Sequence, residues 1–146
     1  MNTGITDDDL KAIKALCPRL YAAVGWGAGT LPDWQAFRAC CHPQAVLAPL
    51  SSGSASTIGV ESFVAAMEEQ RASGTLTDFS ETELANSVEA FGNVASVRSS
   101  FVTVLNGEQR RGVTFAQIVR HDNNWLILSA IWDNESETLQ LPADFT

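Results

Sequence analysis

Basic residues are scarce in this chain: nine Lys and Arg stand against seventeen Asp and Glu, for a net charge of −8 at pH 7. Binding a phosphate backbone needs clustered cations, and the densest cluster is Arg110-Arg111. Nucleic acid is therefore excluded as a partner, and an anionic membrane surface with it. No apolar run approaches the roughly 18–20 residues that span a bilayer. The first residues, Met1 to Asp9, carry neither the basic flank nor the apolar stretch of a secretion signal, which points to a cytoplasmic protein. Cysteine is also sparse. Cys17 stands alone and Cys40-Cys41 are adjacent, a spacing that disulfides rarely tolerate. With no Cys-x-x-Cys and only two histidines, His42 and His121, no metal site is expected, and the thiols read as small buried hydrophobes. Gly25-x-Gly27-x-Gly29 lacks the preceding strand and trailing helix glycine of a dinucleotide cradle, and no Gly-x-Ser-x-Gly occurs. No cofactor is expected.

Apolar residues make up 45% of 146 positions and charged ones 18%, the balance of one globular domain spanning residues 1–146. Thr6 before three aspartates is a helix start. Leu10, Ile13, Leu16, Leu20 and Val24 follow at helical spacing with Cys17 on the same side, and Pro18 predicts a kink or break near Leu16-Cys17. Asp33 caps a second helix from Trp34 to Cys41, with Trp34, Phe37 and Cys41 on one face, stopped by His42-Pro43. A short strand from Ala45 to Leu50 and a flexible loop from Ser51 to Thr57 come next. A third helix begins near Gly59-Val60-Glu61, buries Phe63, Val64 and Met67, and ends by Ser73-Gly74.

The rest reads as sheet: Phe79 to Glu89, Val94 to Leu105, Arg111 to Arg120 and Asn124 to Asp133. Asn106-Gly107 and Asp122-Asn123-Asn124 supply hairpin turns, and the tail from Glu135 to Thr146 carries no regular signal. Helix, helix, strand, helix and then antiparallel strands is an α+β order. On the last strand, alternation sends Trp125, Ile127 and Ile131 one way and Leu128, Ala130 and Trp132 the other. Both faces are apolar, so the outer one requires a cover, most simply a second subunit in a homodimer.

Several segments carry a resemblance to a known family: Asp33-Trp34-x-x-Phe37 leading to His42-Pro43-x-Ala45, Gly59-Val60-Glu61-x-Phe63, Phe91-Gly92-Asn93-Val94-Ala95, and Trp125 leading to Trp132-Asp133. In that order and spacing the chain resembles the NTF2-like superfamily, of cystatin-like α+β fold, in its SnoaL-like and ketosteroid-isomerase-like branches. The resemblance implies a cone: a strongly curved, mostly antiparallel sheet wrapped around three helices, with a pocket at the wide end and homodimers formed through the outside of the sheet. Carried over from the ketosteroid isomerases, the catalytic base falls at or beside Pro49, which can accept no proton. The oxyanion tyrosine falls near Tyr21, the protonated acid on Gln117, and the pocket tryptophan on Trp132. Without a positioned base, ketosteroid isomerase chemistry is not expected.

The candidate ligand pocket is therefore Tyr21, Trp26, Ser99, Phe101, Phe115, Gln117, Leu128, Ala130 and Trp132. Gln117, on a face with Val113, Phe115 and Val119, is expected to point inward, either bonded within the core or anchoring a ligand. Trp132 reads as a wall. Trp26 is either a lid or a staple. His42 suits a helix end, His121 a solvated turn, and Asp133 a solvated strand end, with a base at the pocket rim as its alternative. Three functions stay open: a pocket protein for an apolar or amphipathic small molecule, a SnoaL-like enzyme (isomerase, cyclase, dehydratase or hydrolase) acting on a polyketide- or steroid-like compound, and a ligand-free dimerising module. Two inward titratable groups near one pocket point would favour the enzyme.

Overall fold

The residues around Thr6 start the first helix as their chemistry demands. A computed structural model describes residues 2–50 and 53–146. In it Thr6 Oγ1 accepts from the Asp9 amide at 3.0 Å and the Asp9 carboxylate accepts from the Thr6 amide at 2.9 Å, a capping box contributing about 1 kcal/mol. Helix α1, Asp7–Val24, is continuous with Pro18 inside it, so of the expected kink or break the break does not occur. A mid-helix proline costs about 3 kcal/mol. Ile13, Leu16, Cys17, Leu20 and Val24 lie on both sides of Pro18 and are all buried. At roughly 1.5–3 kcal/mol for each large apolar side chain, their burial outweighs the lost hydrogen bond.

Asp33 caps α2, Trp34–Ala39, by accepting from the Ala36 amide. The helix is shorter than expected because Cys41 already belongs to β1, Cys41–Pro49. The Cys40 carbonyl is taken by the Ile127 amide at 2.9 Å, so sheet pairing claims the chain before the helix can extend. Of the loop expected over 51–57, Ser51 and Ser52 lie outside the described residues. A short β2, Ile58–Gly59, leads into α3, Val60–Ala72. Strands β3 (Phe79–Phe91), β4 (Val94–Leu105), β5 (Glu108–His121) and β6 (Asn124–Asn134) complete a six-stranded sheet in the order β2-β1-β6-β5-β4-β3. β1 runs parallel to β6 and the other pairings are antiparallel, so the sheet is mixed and open, within an α+β fold. Two turns carry positive φ at both central residues, Asn106-Gly107 and Asp122-Asn123, matching the twist of the strands they join.

Register shifts interrupt three strand pairings: between Cys41 and Val46 on β1, between Glu83 and Ala85 on β3, and opposite Gln117-Ile118 on β6. The last of these re-phases β6. Ile118 pairs with Ile127 and Gln117 with Ser129, leaving Leu128 as the extra residue. Trp125, Ile127, Ala130 and Trp132 then share the inner side, while Leu128 and Ile131 are exposed. Strict alternation had divided these six differently, because it takes no account of an inserted residue.

The face expected to carry Gln117 inward is the outer one. Gly112, Thr114, Ala116 and Ile118 are buried on the concave side, whereas Phe115 is 49% exposed and Gln117 accepts from Ser96 Oγ at the surface. A strongly bent sheet crowds its concave face, so the smaller residues go inside and the bulky Val113 and Phe115 take the roomier convex side. At Gly112 a Cβ would stand 2.7 Å from Phe101 Cζ. The tail is ordered by packing rather than by periodicity: Arg111 forks onto Glu135 with two bonds of 2.8 Å, and Arg98 lies 3.9 Å over the Phe145 ring. No helix among the described residues is long and apolar enough to cross a membrane.

Candidate functional site

Strand pairing turns the inner face of the sheet into five cross-strand rows, about 4.8 Å from strand to strand. At the closed end lie Ala90, Ala95, Ile118, Ile127 and Cys41, followed by Val88, Val97, Ala116, Ala130 and Leu47. The third row is Asn86, Ser99, Thr114, Trp132 and Pro49, and the fourth is Glu83, Phe101, Gly112 and Asn134. The fifth, at the open end, is Glu81, Thr103 and Arg110. The concave face thus grades from aliphatic to polar to charged toward the mouth.

Helices α1, α2 and α3 close over the face and leave two adjoining chambers. The inner one, about 40 Å³, is walled by Leu20, Tyr21 and Val24 of α1, Phe37, Phe63, Leu47, Thr114, Ala130, Trp132 and Glu81. The outer one, about 310 Å³, adds Met67, Gln70, Leu76, Phe79, Phe101, Thr103, Leu105, Arg110 and Asn134. Phe63, Glu81 and Trp132 border both. Phe63 stacks on Phe37 at 5.2 Å and meets Trp132 edge-on at 6.2 Å, fixing the aromatic wall.

A buried hydrogen-bond chain runs beneath the floor. The Tyr21 hydroxyl lies 2.9 Å from Thr114 Oγ1 and 3.0 Å from Ser99 Oγ, and Ser99 donates to the Glu83 carboxylate at 2.6 Å. Asn86 Nδ2 donates to the other Glu83 oxygen at 2.8 Å. Burial, with the hydrogen bonds opposing it, raises the Tyr21 hydroxyl pKa far above its usual value, so the group stays neutral. Glu81, two residues earlier on the same face, makes no hydrogen bond or ion pair with the described residues. The surface it retains is that of the chambers it borders. Desolvation raises its carboxyl from 4.5 to about 7. One glutamate is satisfied and one is poised, because their surroundings differ.

The expected pocket residues divide accordingly. Tyr21, Ala130 and Trp132 line the inner chamber, Phe101 and Trp132 the outer one, and Ser99 sits just behind Tyr21. Trp26 is a staple: it stacks on Phe79 at 5.1 Å, donates to the Leu76 carbonyl, and borders a separate depression near Thr30. Phe115, Gln117 and Leu128 face outward and line neither chamber. Gln117 and Tyr21 do not meet. Asp133 is exposed and accepts from the Asn134 amide beside it. His42 accepts from the Gln44 amide and packs edge-on against His121 at 4.7 Å. Burial pushes the Cys17 and Cys41 thiols up to about 12, so neither is a ready nucleophile.

Sequence reasoning missed Glu81, Glu83 and Arg110. The available signal was parity: Phe79-x-Glu81-x-Glu83 places both acids on the side of a buried phenylalanine. Glutamates on a strand near an edge ordinarily read as a solvated face.

No protein-family model matches the sequence, and no curated protein does. Solved structures do match. A protein of unknown function with a cystatin-like fold from Nostoc punctiforme superposes with a TM-score of 0.71 at 12% identity, over 91% of this chain and 96% of that one. An NTF-2 like protein of unknown function from Silicibacter pomeroyi gives 0.63 at 21% identity, over 92% and 100%. The "Putative Scytalone Dehydratase" of Novosphingobium aromaticivorans gives 0.67 at 14% identity, over 92% and 89%. At these identities the likeness is one of fold: the chain has the NTF2-like, cystatin-like architecture.

Proposed function

We propose, from an NTF2-like fold as premise, that the concave face holds an apolar or amphipathic small molecule with its apolar body against Phe63, Phe101 and Trp132. The observation carrying this reading is the pair of adjoining chambers beneath the helices, apolar and aromatic inside and polar at the mouth. Protein interiors close up voids of this size unless something occupies them, and apolar walls with a few convergent polar groups are the usual make-up of a ligand site. A ligand-free module would fill the space with its own side chains. The three buried thiols suit a reducing compartment, the cytoplasm. The test is titration with 2-naphthaleneacetamide, a neutral bicyclic probe, followed by Trp fluorescence and calorimetry. Saturable binding that Trp132→Leu weakens supports the reading. Absence of saturation at millimolar probe sinks it.

A second reading, a proton-transferring enzyme of SnoaL-like type, is favoured by Glu81 in particular. A carboxyl near 7 is half-ionised at neutral pH, which suits it to take and return a proton. It stands on β3, far along the sheet from Pro49, where the ketosteroid-isomerase base would fall. The neutral Tyr21 hydroxyl on the same inner chamber supplies a second polar group. The dehydratase name of one structural neighbour is compatible with acid–base chemistry of this kind.

We also propose that a second copy of the chain covers the outer sheet face, where Phe115, Ile131, Leu128 and Val46 are 49%, 47%, 38% and 41% exposed. Contiguous apolar patches of this kind mark interaction surfaces. Light scattering at micromolar concentration should give twice the chain mass, reduced to one by Phe115→Lys. A monomeric mass for the unaltered protein refutes it.

A further inference from the structure

The mouth of the cavity has a chemistry that the apolar body of a ligand does not explain. Glu81, Thr103 and Arg110 stand in one row across β3, β4 and β5 and all three line the outer chamber. None of them makes a side-chain hydrogen bond or ion pair with the described residues. Thr103 is only 7% exposed and lines the outer chamber, so a group held in the chamber is what can meet its hydroxyl. The Gln70 and Asn134 side-chain amides border the same chamber and likewise make no side-chain hydrogen bond with the described residues. Arg110 is the one cation in the chamber's lining.

Arg110 does not neutralise Glu81. The two stand two strand spacings apart, about 10 Å between backbones, and burial alone governs the Glu81 carboxyl, with no contribution from the guanidinium. Arg110 is therefore available to something else. A planar fork of donors matches a carboxylate, and within this chamber's lining the guanidinium is the place where an anion is welcome. An anionic group placed deeper would meet Glu81, which ionises near neutrality and would repel it.

We infer that the ligand is an amphipathic carboxylic acid, bound with its carboxylate at Arg110, a neutral oxygen function at Thr103 and Glu81, and its apolar body inward. This deepens the pocket reading and rests on it. The test uses three matched probes, 2-naphthaleneacetate, its amide and 2-(2-naphthyl)ethylamine, titrated by calorimetry at pH 7.5 into the full chain and into Arg110→Gln and Arg110→Lys. The acetate should bind about tenfold more tightly than the amide, as one screened charged hydrogen-bond pair allows. Arg110→Gln should abolish that preference, and Arg110→Lys should restore part of it. Equal affinities for acetate and amide, tighter binding of the amine, or a preference for acetate that survives Arg110→Gln would each overturn the inference and leave the pocket standing. If none of the three probes binds, the pocket reading falls and this inference falls with it.

Discussion

Replacing Glu81 with glutamine isolates the electrostatic cost of the chamber's carboxyl. Desolvation raises its pKa from 4.5 to about 7, so the folded chain favours the neutral acid. The stability this represents is fully present below about pH 4.5 and is lost as pH rises through about 7. Above that, the ionised group must be held in a desolvated site. At about 1.4 kcal/mol for each tenfold change in proton affinity, the difference amounts to at most about 3 kcal/mol between pH 4.5 and pH 8.5. Glutamine has nearly the same volume and keeps two polar atoms at the site, so any packing offset is the same at every pH. Urea unfolding of both proteins at pH 4.5, 6.5 and 8.5 should therefore show Glu81→Gln gaining on the parent protein as pH rises. The relative gain is expected to approach about 3 kcal/mol, or roughly 6–12 °C in Tm for a chain of this size. Taking the difference between the proteins cancels every ionisation the two have in common. Parallel stability profiles would refute the desolvated carboxyl, and with it the proposed proton-transfer role.

Three further outcomes follow from the same geometry. Tyr21→Phe removes the hydroxyl joining Thr114 and Ser99 and should cost about 1–2 kcal/mol in urea unfolding, with no change in secondary structure by circular dichroism. A fully neutral effect would mean that the chain beneath the floor does not tie α1 to the sheet. Gly112→Ala places a methyl group against the Asp133 carbonyl oxygen and the Phe101 ring. It should lower stability by about 3 kcal/mol or more, and unaltered unfolding would contradict the close packing there. Cys17, Cys40 and Cys41 are buried with raised pKa values, so Ellman's reagent at pH 8 should label none of them rapidly in the native chain and all three in 6 M guanidinium. Rapid native labelling would show that the core opens.

Local chemistry made much of the architecture legible. Thr6 with its aspartates and Asp33 start helices because their side chains satisfy free amides within three residues, an interaction that needs no tertiary partner. Asn106-Gly107 and Asp122-Asn123 adopt positive φ for a similarly local reason. Trp132 as a wall, Tyr21 as an inward polar group and the apolar convex face also followed from pattern and resemblance.

What the sequence determined by itself, then, was the order of elements, their caps and turns, and the two-sided apolar character of the closing strands. Only the tertiary structure decided which side of each strand faces in. Period-two alternation gives parity but not sign. A single bulge at Leu128 reverses the parity beyond it, and the curvature that crowds the concave face sends Phe115 and Gln117 outward while admitting Gly112 and Ala116. Strand register brings Glu81, Thr103 and Arg110, from three strands, into one row. Their chemistry arises from a shared place on one chamber, which no stretch of sequence read alone contains.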